Sequence, residues 1–327
     1  MDGEARYNRR EARRRTIRRR RQAVALLAVA GAAVIAVVAV NLSSGASSPA
    51  GQPTRSAHPS SNPSQGAAAA SRAASSSGGA GGAATGHPGT EPVPILMYHV
   101  IAPPPAGAPF PGLYVTPSEL TAQVQALKSA GWHAVTLDQV EAYWRNGVPL
   151  GPGKPIVLSF DNGYHSQYTQ ALPILRNVGW VGDENLQLEG LPPSQGGLSQ
   201  EEVRALVAAG WELDTQGISH ADLITLDSEQ LHEQVAVARS TIQQRYHVPV
   251  NWFCYPSGHY DATVITAVKA AGFVGSTTVV PGWAHPNDDP YRLHRLRVLG
   301  GTTPEGLLAQ IADIREDPPA PASYNGT

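Results

Sequence analysis

Cysteine is almost missing from this chain, with Cys254 the single one in 327 residues. That excludes an intramolecular disulfide framework and any zinc site built on several thiolates. Charge is also sparse, at 15% of residues, and the basic part is concentrated at one end. Residues 1–22 hold ten Arg against Asp2, Glu4 and Glu11, a net of +7; the other residues hold 14 basic and 23 acidic side chains, a net of −9. A chain that is acidic outside one short tail is not a generally basic nucleic-acid binder, so no nucleic-acid partner is expected. No glycine-rich phosphate loop occurs, which removes the main support for an open dinucleotide-binding sheet. Apolar residues are not lacking, and 42% over this length supplies a sizeable core.

The longest apolar run, Ala23 to Val40, contains only Ala, Val, Leu, Ile and one Gly. Eighteen helical residues rise ~27 Å, close to the ~30 Å hydrocarbon thickness of a bilayer. Arg13–Arg15 and Arg18–Arg21 stand just before it. The positive-inside rule then keeps a basic tail, residues 1–22, in the cytoplasm and exports the chain beyond a signal-anchor at 23–42. This predicts a single-pass cell-membrane protein. Small residues over Val40–Ser48 leave a cleaved signal peptide, and a secreted product, as the other reading. From 43 to 91 the chain is almost all Ser, Ala, Gly, Pro, Thr and Gln, and up to residue 90 only Arg55 and Arg72 are charged. It reads as a disordered linker with a reach of roughly 35–40 Å.

Composition changes at Pro92, and a folded domain is expected over 92–316, followed by a flexible Pro-rich tail at 317–327. Within the domain, an apolar-periodic helix ends four times in Gly and then a large aromatic: Gly131-Trp132, Gly179-Trp180, Gly210-Trp211 and Gly272-Phe273. Glycine after a helix adopts the left-handed conformation without a Cβ penalty. Thr116-Pro117-Ser118-Glu119 has the form of a capped helix start, and others begin near Ser199 and Asp227. Strands are predicted at Pro94–His99, His133–Leu137, Ile156–Phe160, Glu184–Leu188, Glu212–Thr215, Trp252–Tyr255, Val274–Thr278 and Leu296–Leu299. Their alternation with helices predicts an α/β fold, a mostly parallel sheet curled into a distorted β/α barrel.

Chemistry in such a fold gathers where strands end, and the unusual polar residues fall there. His99 closes the first strand. Asp161 follows an apolar strand and precedes Asn162-Gly163-Tyr164; it suits a general base, or a cap on the Gly163 turn. Gln216 and His220 lie four apart after another strand, where His220 suits a metal ligand or an acid, or is merely solvated. Phe253-Cys-Tyr-Pro-Ser-Gly258 forms a groove wall in which Tyr255, Pro256, Ser257 and Gly258 could meet a substrate, while Cys254 between aromatics reads as a buried inert thiol.

Together these segments resemble the polysaccharide deacetylase (NodB-homology) family. Pro94-Ile-Leu-Met-Tyr-His99 is similar to the start of its circularly permuted, poly-N-acetylglucosamine deacetylase-like branch. Ser159-Phe-Asp-Asn-Gly-Tyr164 resembles the family's Thr/Ser-Phe-Asp-Asp-Gly-Tyr signature. Gln216 to His220 falls on its His-x-x-x-His motif, and Phe253 to Gly258 matches its groove motif. The resemblance implies a NodB-like barrel of about seven strands that hydrolyses the acetamido C–N bond of N-acetylated sugars. It implies Asp161 as base, His99 as acid, and metal ligands at positions 162, 216 and 220. Only His220 keeps the family's residue there, because Asn162 and Gln216 offer neutral amides. The Arg that steadies the base in many members is replaced by Cys254. Amide oxygens are weak ligands for zinc, and even indirect losses around a metal cost ~10–100-fold in affinity. A tight divalent site is therefore not expected, unless His165, Asp214 or Asp222 substitute.

These residues allow three functions. The first is an envelope amide hydrolase with weak or no metal dependence, acting on an N-acetylated polysaccharide or peptidoglycan-like glycan. The second is an inactive glycan-binding module with Tyr164, Trp252 and Tyr255 as ring platforms. The third is a tethered scaffold domain.

Overall fold

The computed structural model describes residues 84, 86–189, 191, 196–314 and 319–326. The apolar run and almost all of the linker lie outside them. Among the described residues no helix is long and apolar enough to cross a membrane.

Eight parallel strands form one sheet: β1 (Ile95–Tyr98), β2 (Trp132–Ala134), β3 (Lys154–Asp161), β4 (Asp183–Leu186), β5 (Glu212–Thr215), β6 (Trp252–Cys254), β7 (Gly275–Thr277) and β8 (Leu296–Arg297). Their order is β7-β6-β5-β4-β3-β1-β8, with β2 paired to the first residues of β3. The sheet curls into a half-barrel. A parallel bridge between Thr277 and Leu293 ties the approach to β8 back toward β7, and the Thr278 N–H donates to the Leu293 carbonyl at 2.9 Å.

The local signals produce the expected elements. Helix α1 (Pro117–Ser129) starts at Thr116, whose hydroxyl accepts the Glu119 N–H while the Glu119 carboxylate accepts the Thr116 N–H, a reciprocal capping box. Ser199 and Asp227 cap their helices in the same way. Gly131, Gly179, Gly210 and Gly272 all have φ between 77° and 89°, and the aromatics after three of them, Trp180, Trp211 and Phe273, are buried.

Alternation along β3 sorts its side chains. Ile156, Leu158 and Phe160 join the main core, where Phe160 lies between Tyr98 (centroids 5.4 Å) and Trp211 (5.0 Å). Ser159 and Asp161 belong to the opposite, inward face. The tail departs from its expected fraying. Tyr324 bridges Tyr260, the Tyr260 hydroxyl donates to the Pro321 carbonyl, and Arg292 donates to the Ala320 carbonyl. A backbone bridge, a tyrosine hydroxyl and a half-buried arginine hold the described part of the tail against the domain.

At the N-terminal ends of β4 and β5, Asp183, Glu212 and Asp214 come together with ligand atoms within 4.8 Å of one another. Each carboxylate accepts one backbone N–H, from Leu137, Asp138 and Trp252 respectively. Burial, then mutual repulsion, raises all three pKa values well above the usual carboxylate range. A pKa raised on folding contributes stability below the unfolded value, about 4, that is lost as pH rises toward the folded value. Asp214→Asn, which keeps the acceptor for Trp252, is therefore expected to stabilise the domain, with a larger gain at pH 8 than at pH 5 in urea melts. A cation held by the trio would reverse the sign.

Candidate active site

The sheet brings the five scattered residues of the sequence analysis to one place. His99, Asp161, Asn162, Gln216 and His220 line a single cleft of about 510 Å³, together with Tyr164, Tyr255, Ser257 and Gly258. It lies at the C-terminal ends of the strands, where parallel β/α units place their loops. Pro256 is buried in the turn and does not line it. Backbone strain concentrates here. Among the described residues, the non-glycine ones with positive φ are Asn162 (79°), His220 (52°), His247 (57°) and Ser257 (56°), and all but His247 line the cleft. Such conformations cost ~1–3 kcal/mol each and persist where the surroundings enforce them.

Asp161 is 1% exposed and fully engaged. Arg295 donates from Nη1 to Oδ1 at 2.7 Å and from Nη2 to Oδ2 at 2.9 Å. Asn185 Nδ2 donates to Oδ1 at 2.9 Å, and the Cys254 thiol lies 3.6 Å from Oδ2. Burial alone would raise this carboxyl, but the Arg295 charge and hydrogen bonds, helped by His99 and Asn185, hold it at about 2. His99 Nε2 stands 3.9 Å from Asp161 Oδ2. Burial lowers His99 to about 4 despite the pull of Asp161, so its imidazole is neutral at pH 7. Gln167, fully buried, donates to the carbonyls of both His99 (3.0 Å) and Asp161 (2.8 Å), pinning the two strand ends together. Cys254 is buried, with its thiol pushed up to about 12, as an inert thiol requires.

Arg295 and Asn185 were missed in the sequence, and Arg295 corrects an expectation. The position of the family's steadying Arg holds Cys254, yet the guanidinium is present, supplied from beside β8. The available signal was weak, an arginine directly before the predicted strand Leu296–Leu299. Trp252 is also reassigned. It is buried, and its indole donates to Asp138, away from the cleft. Tyr255 lines the cleft but is 1% exposed, packed on Phe253 and Tyr260 and donating to the Tyr291 carbonyl. Tyr164 is half-buried.

The donors at the cleft do not fit a tight divalent metal. His220 is one imidazole, Asn162 and Gln216 are neutral amides, and the one carboxylate is committed to Arg295. The Gln216 Oε1 atom is buried without a partner, so one amide lone pair is available. The suggested substitutes are engaged elsewhere: His165 with Glu202 (2.8 Å), Asp214 with the Trp252 N–H (2.9 Å) and Asp222 with His259 (3.0 Å). Among the described residues, the acidic trio at the other end of the strands is the group spaced to hold a metal ion.

A family model described as polysaccharide deacetylase matches residues 150–276. Residues 150–276 are thus the part of the chain that matches a polysaccharide deacetylase domain. Members of this family are hydrolases of carbon–nitrogen bonds other than peptide bonds. The domain is similar to YxkH of Bacillus subtilis (strain 168), a provisionally named polysaccharide deacetylase, at 24% identity over 223 residues, 68% of this chain and 77% of that protein. A 66-residue stretch is 41% identical to the poly-β-1,6-N-acetyl-D-glucosamine N-deacetylase of Escherichia coli (strain K12), covering 20% of this chain and 10% of that one. Among solved structures, the Streptococcus pyogenes deacetylase PplD, determined with acetate, superposes with a TM-score of 0.63 at 23% identity over 68% of this chain and 99% of that one. IcaB from Ammonifex degensii superposes at 0.57, with 21% identity over 68% and 98%. At these identities the superpositions establish the NodB-like fold.

The ion pair and the amide positions can each be tested. Arg295→Met leaves a buried carboxylate without its cation and is expected to cost about 3–5 kcal/mol in chemical denaturation, with Arg295→Met/Asp161→Asn costing less than the single change. The lowered Asp161 pKa contributes stability above about pH 4 that is lost as pH falls toward 2, so the double variant should lose that acid limb. Second, Asn162→Asp with Gln216→His should raise zinc affinity at least about 100-fold by calorimetry. An unchanged affinity would separate these two positions from His220.

Proposed function

We propose that this chain is a glycan N-deacetylase that works with weak or no divalent metal. The observation that carries the proposal is the convergence of the Asp161–His99 pair with three neutral donors, Asn162, Gln216 and His220, in one strained cleft of a polysaccharide deacetylase domain. The substrate is an N-acetylated amino-sugar polymer of the cell envelope. The basic tail and the apolar run from Ala23 to Val40 support a domain tethered outside the membrane, with the linker giving it reach.

In this mechanism the acetamido carbonyl sits between the pair and the amides. Water approaches Asp161 Oδ2, the oxygen with the weaker second hydrogen bond, beside His99 Nε2. Asp161 stays ionised and is a poor proton store, and His99 starts neutral. The two act as a unit: the water proton passes to His99 under the field of Asp161, and His99 returns it to the departing sugar amine. As the proton leaves, the water oxygen bonds the carbonyl carbon to give a tetrahedral oxyanion. Its collapse breaks the C–N bond, and the products are the amine, its nitrogen now carrying that proton, and acetic acid, which ionises to acetate. The Asn162 side-chain amide and the Gln216 amide are candidate donors to the oxyanion, a task usually worth 10²–10³ in rate per donor.

A second reading has its own support. Both Asp161 oxygens are already hydrogen-bonded, which suits a groove that binds glycan without turnover. Acetate release from N-acetylglucosamine oligomers by the purified full chain decides between them. Turnover is expected, resistant to chelator, falling at least about 10³-fold in Asp161→Ala and His99→Ala. Because His99 must start neutral, kcat/KM should be flat above pH 5 and fall below about pH 4 as its imidazole protonates. A maximum below pH 4 would contradict the shuttle. Glycan binding without acetate under any added metal would favour the second reading.

A further inference from the structure

One wall of the cleft reaches the shuttle only through charge, because Arg297 there adds to the burial and the Arg295 charge that lower the His99 pKa. Phe110 is 69% exposed, the most exposed large apolar side chain among the described residues, and lines the cleft with Leu113. Arg297 on β8 lines it too, from a position paired with Met97, two residues before His99. The Val298 N–H donates to the Met97 carbonyl and the Gly300 N–H to the Gly112 carbonyl. The continuation of β8 and the Phe110 loop are thereby stitched into one rim.

Arg297 is exposed, and its side chain has no ion pair or hydrogen bond among the described residues; only its carbonyl is used, by Gln310. The titratable groups facing the cleft are Asp161, His99, His220, Tyr164 and Tyr255. Asp161 is the sole carboxylate among them, and Arg295 neutralises it. The Arg297 charge therefore stands alone at the mouth of a domain whose chain is otherwise acidic. Its exposure places it at the rim rather than around the reacting carbonyl. A guanidinium fork matches carboxylate and phosphate oxygens bidentately, and an exposed aromatic ring beside it offers a face to the C–H side of a sugar ring.

We infer that Arg297 is a specificity determinant that takes an oxyanionic substituent, carboxylate or phosphate, of the glycan whose ring lies against Phe110. The inference deepens the glycan reading and rests on it.

The test measures affinity and acetate release separately on the full chain. Four probes are compared. They are a neutral N-acetylglucosamine pentamer, the same pentamer phosphorylated, an oligomer alternating N-acetylglucosamine with N-acetylmuramic acid, and that oligomer with its lactyl carboxylate reduced to an alcohol. At least one anionic probe should bind about tenfold tighter than its neutral counterpart, and which one does so identifies the oxyanion. The preference should shrink with salt. Arg297→Gln should bring the ratio close to one, and Arg297→Lys should keep part of it. Equal binding of every pair by the unaltered chain, or equal weakening of neutral and anionic probes by Arg297→Gln, would overturn the assignment. Absence of acetate with the ratio intact would strike only the hydrolase reading, whereas absence of any glycan binding would strike both.

Discussion

The site is organised by one buried ion pair, Asp161 with Arg295. Each ion alone would cost several kcal/mol to bury. Here the guanidinium is satisfied by both Asp161 oxygens, the Ser159 hydroxyl, the Thr278 carbonyl and the Cys254 sulfur. Asn185 completes the carboxylate. These partners come from β3, β4, β6, the end of β7 and the approach to β8, so the pair joins strands that are far apart in the sheet order. The cleft floor is rigid because moving any of these strands breaks a charge-assisted bond in a low-dielectric interior.

The same pair sets the chemistry. A carboxylate held near pKa 2 remains charged but accepts protons weakly, so proton movement has to involve the neutral imidazole beside it. A divalent cation would stabilise a developing oxyanion by its charge. Here the matching positions hold amides, which donate hydrogen bonds without adding charge. Whatever rate this arrangement reaches depends on how rigidly those dipoles are aimed. That is a reason for Asn162, His220 and Ser257 to hold costly backbone conformations.

Much of this was legible in the sequence. Capping boxes and the four Gly-aromatic junctions are local signals and produced the helices and strand entries. The five cleft residues could be grouped because parallel strands deliver their C-terminal ends to one side, whatever their separation along the chain. Arg295 and Asn185 were not legible because period-two alternation separates faces without telling a polar interior from a polar surface. The partner that decides the matter for Arg295 is 134 residues away. Trp252 failed as a ring platform for the same reason, since it is buried in an apolar cluster with Ile95, Leu137 and Val157 and its indole donates to Asp138, all distant in sequence. For the tail, proline content is blind to the bridge that its Tyr324 makes with Tyr260.

β4 carries the contrast through the interior in a few residues. Asn185 supports a carboxylate that keeps its charge, while Asp183, at the other end of the same strand, belongs to a trio that sheds it. Burial is complete at both, so the neighbours decide: Arg295 holds Asp161 down, whereas Glu212 and Asp138 push Asp183 up. The trio, once protonated, sends no strong negative field toward the cleft, and Asp161 is cancelled locally by Arg295. The potential at the mouth is then left to Arg297, a cation without an ion-pair partner among the described residues. An acidic chain that exposes one uncompensated positive charge at its substrate opening is electrostatically selective there, even though its net charge would repel an anionic polymer at long range.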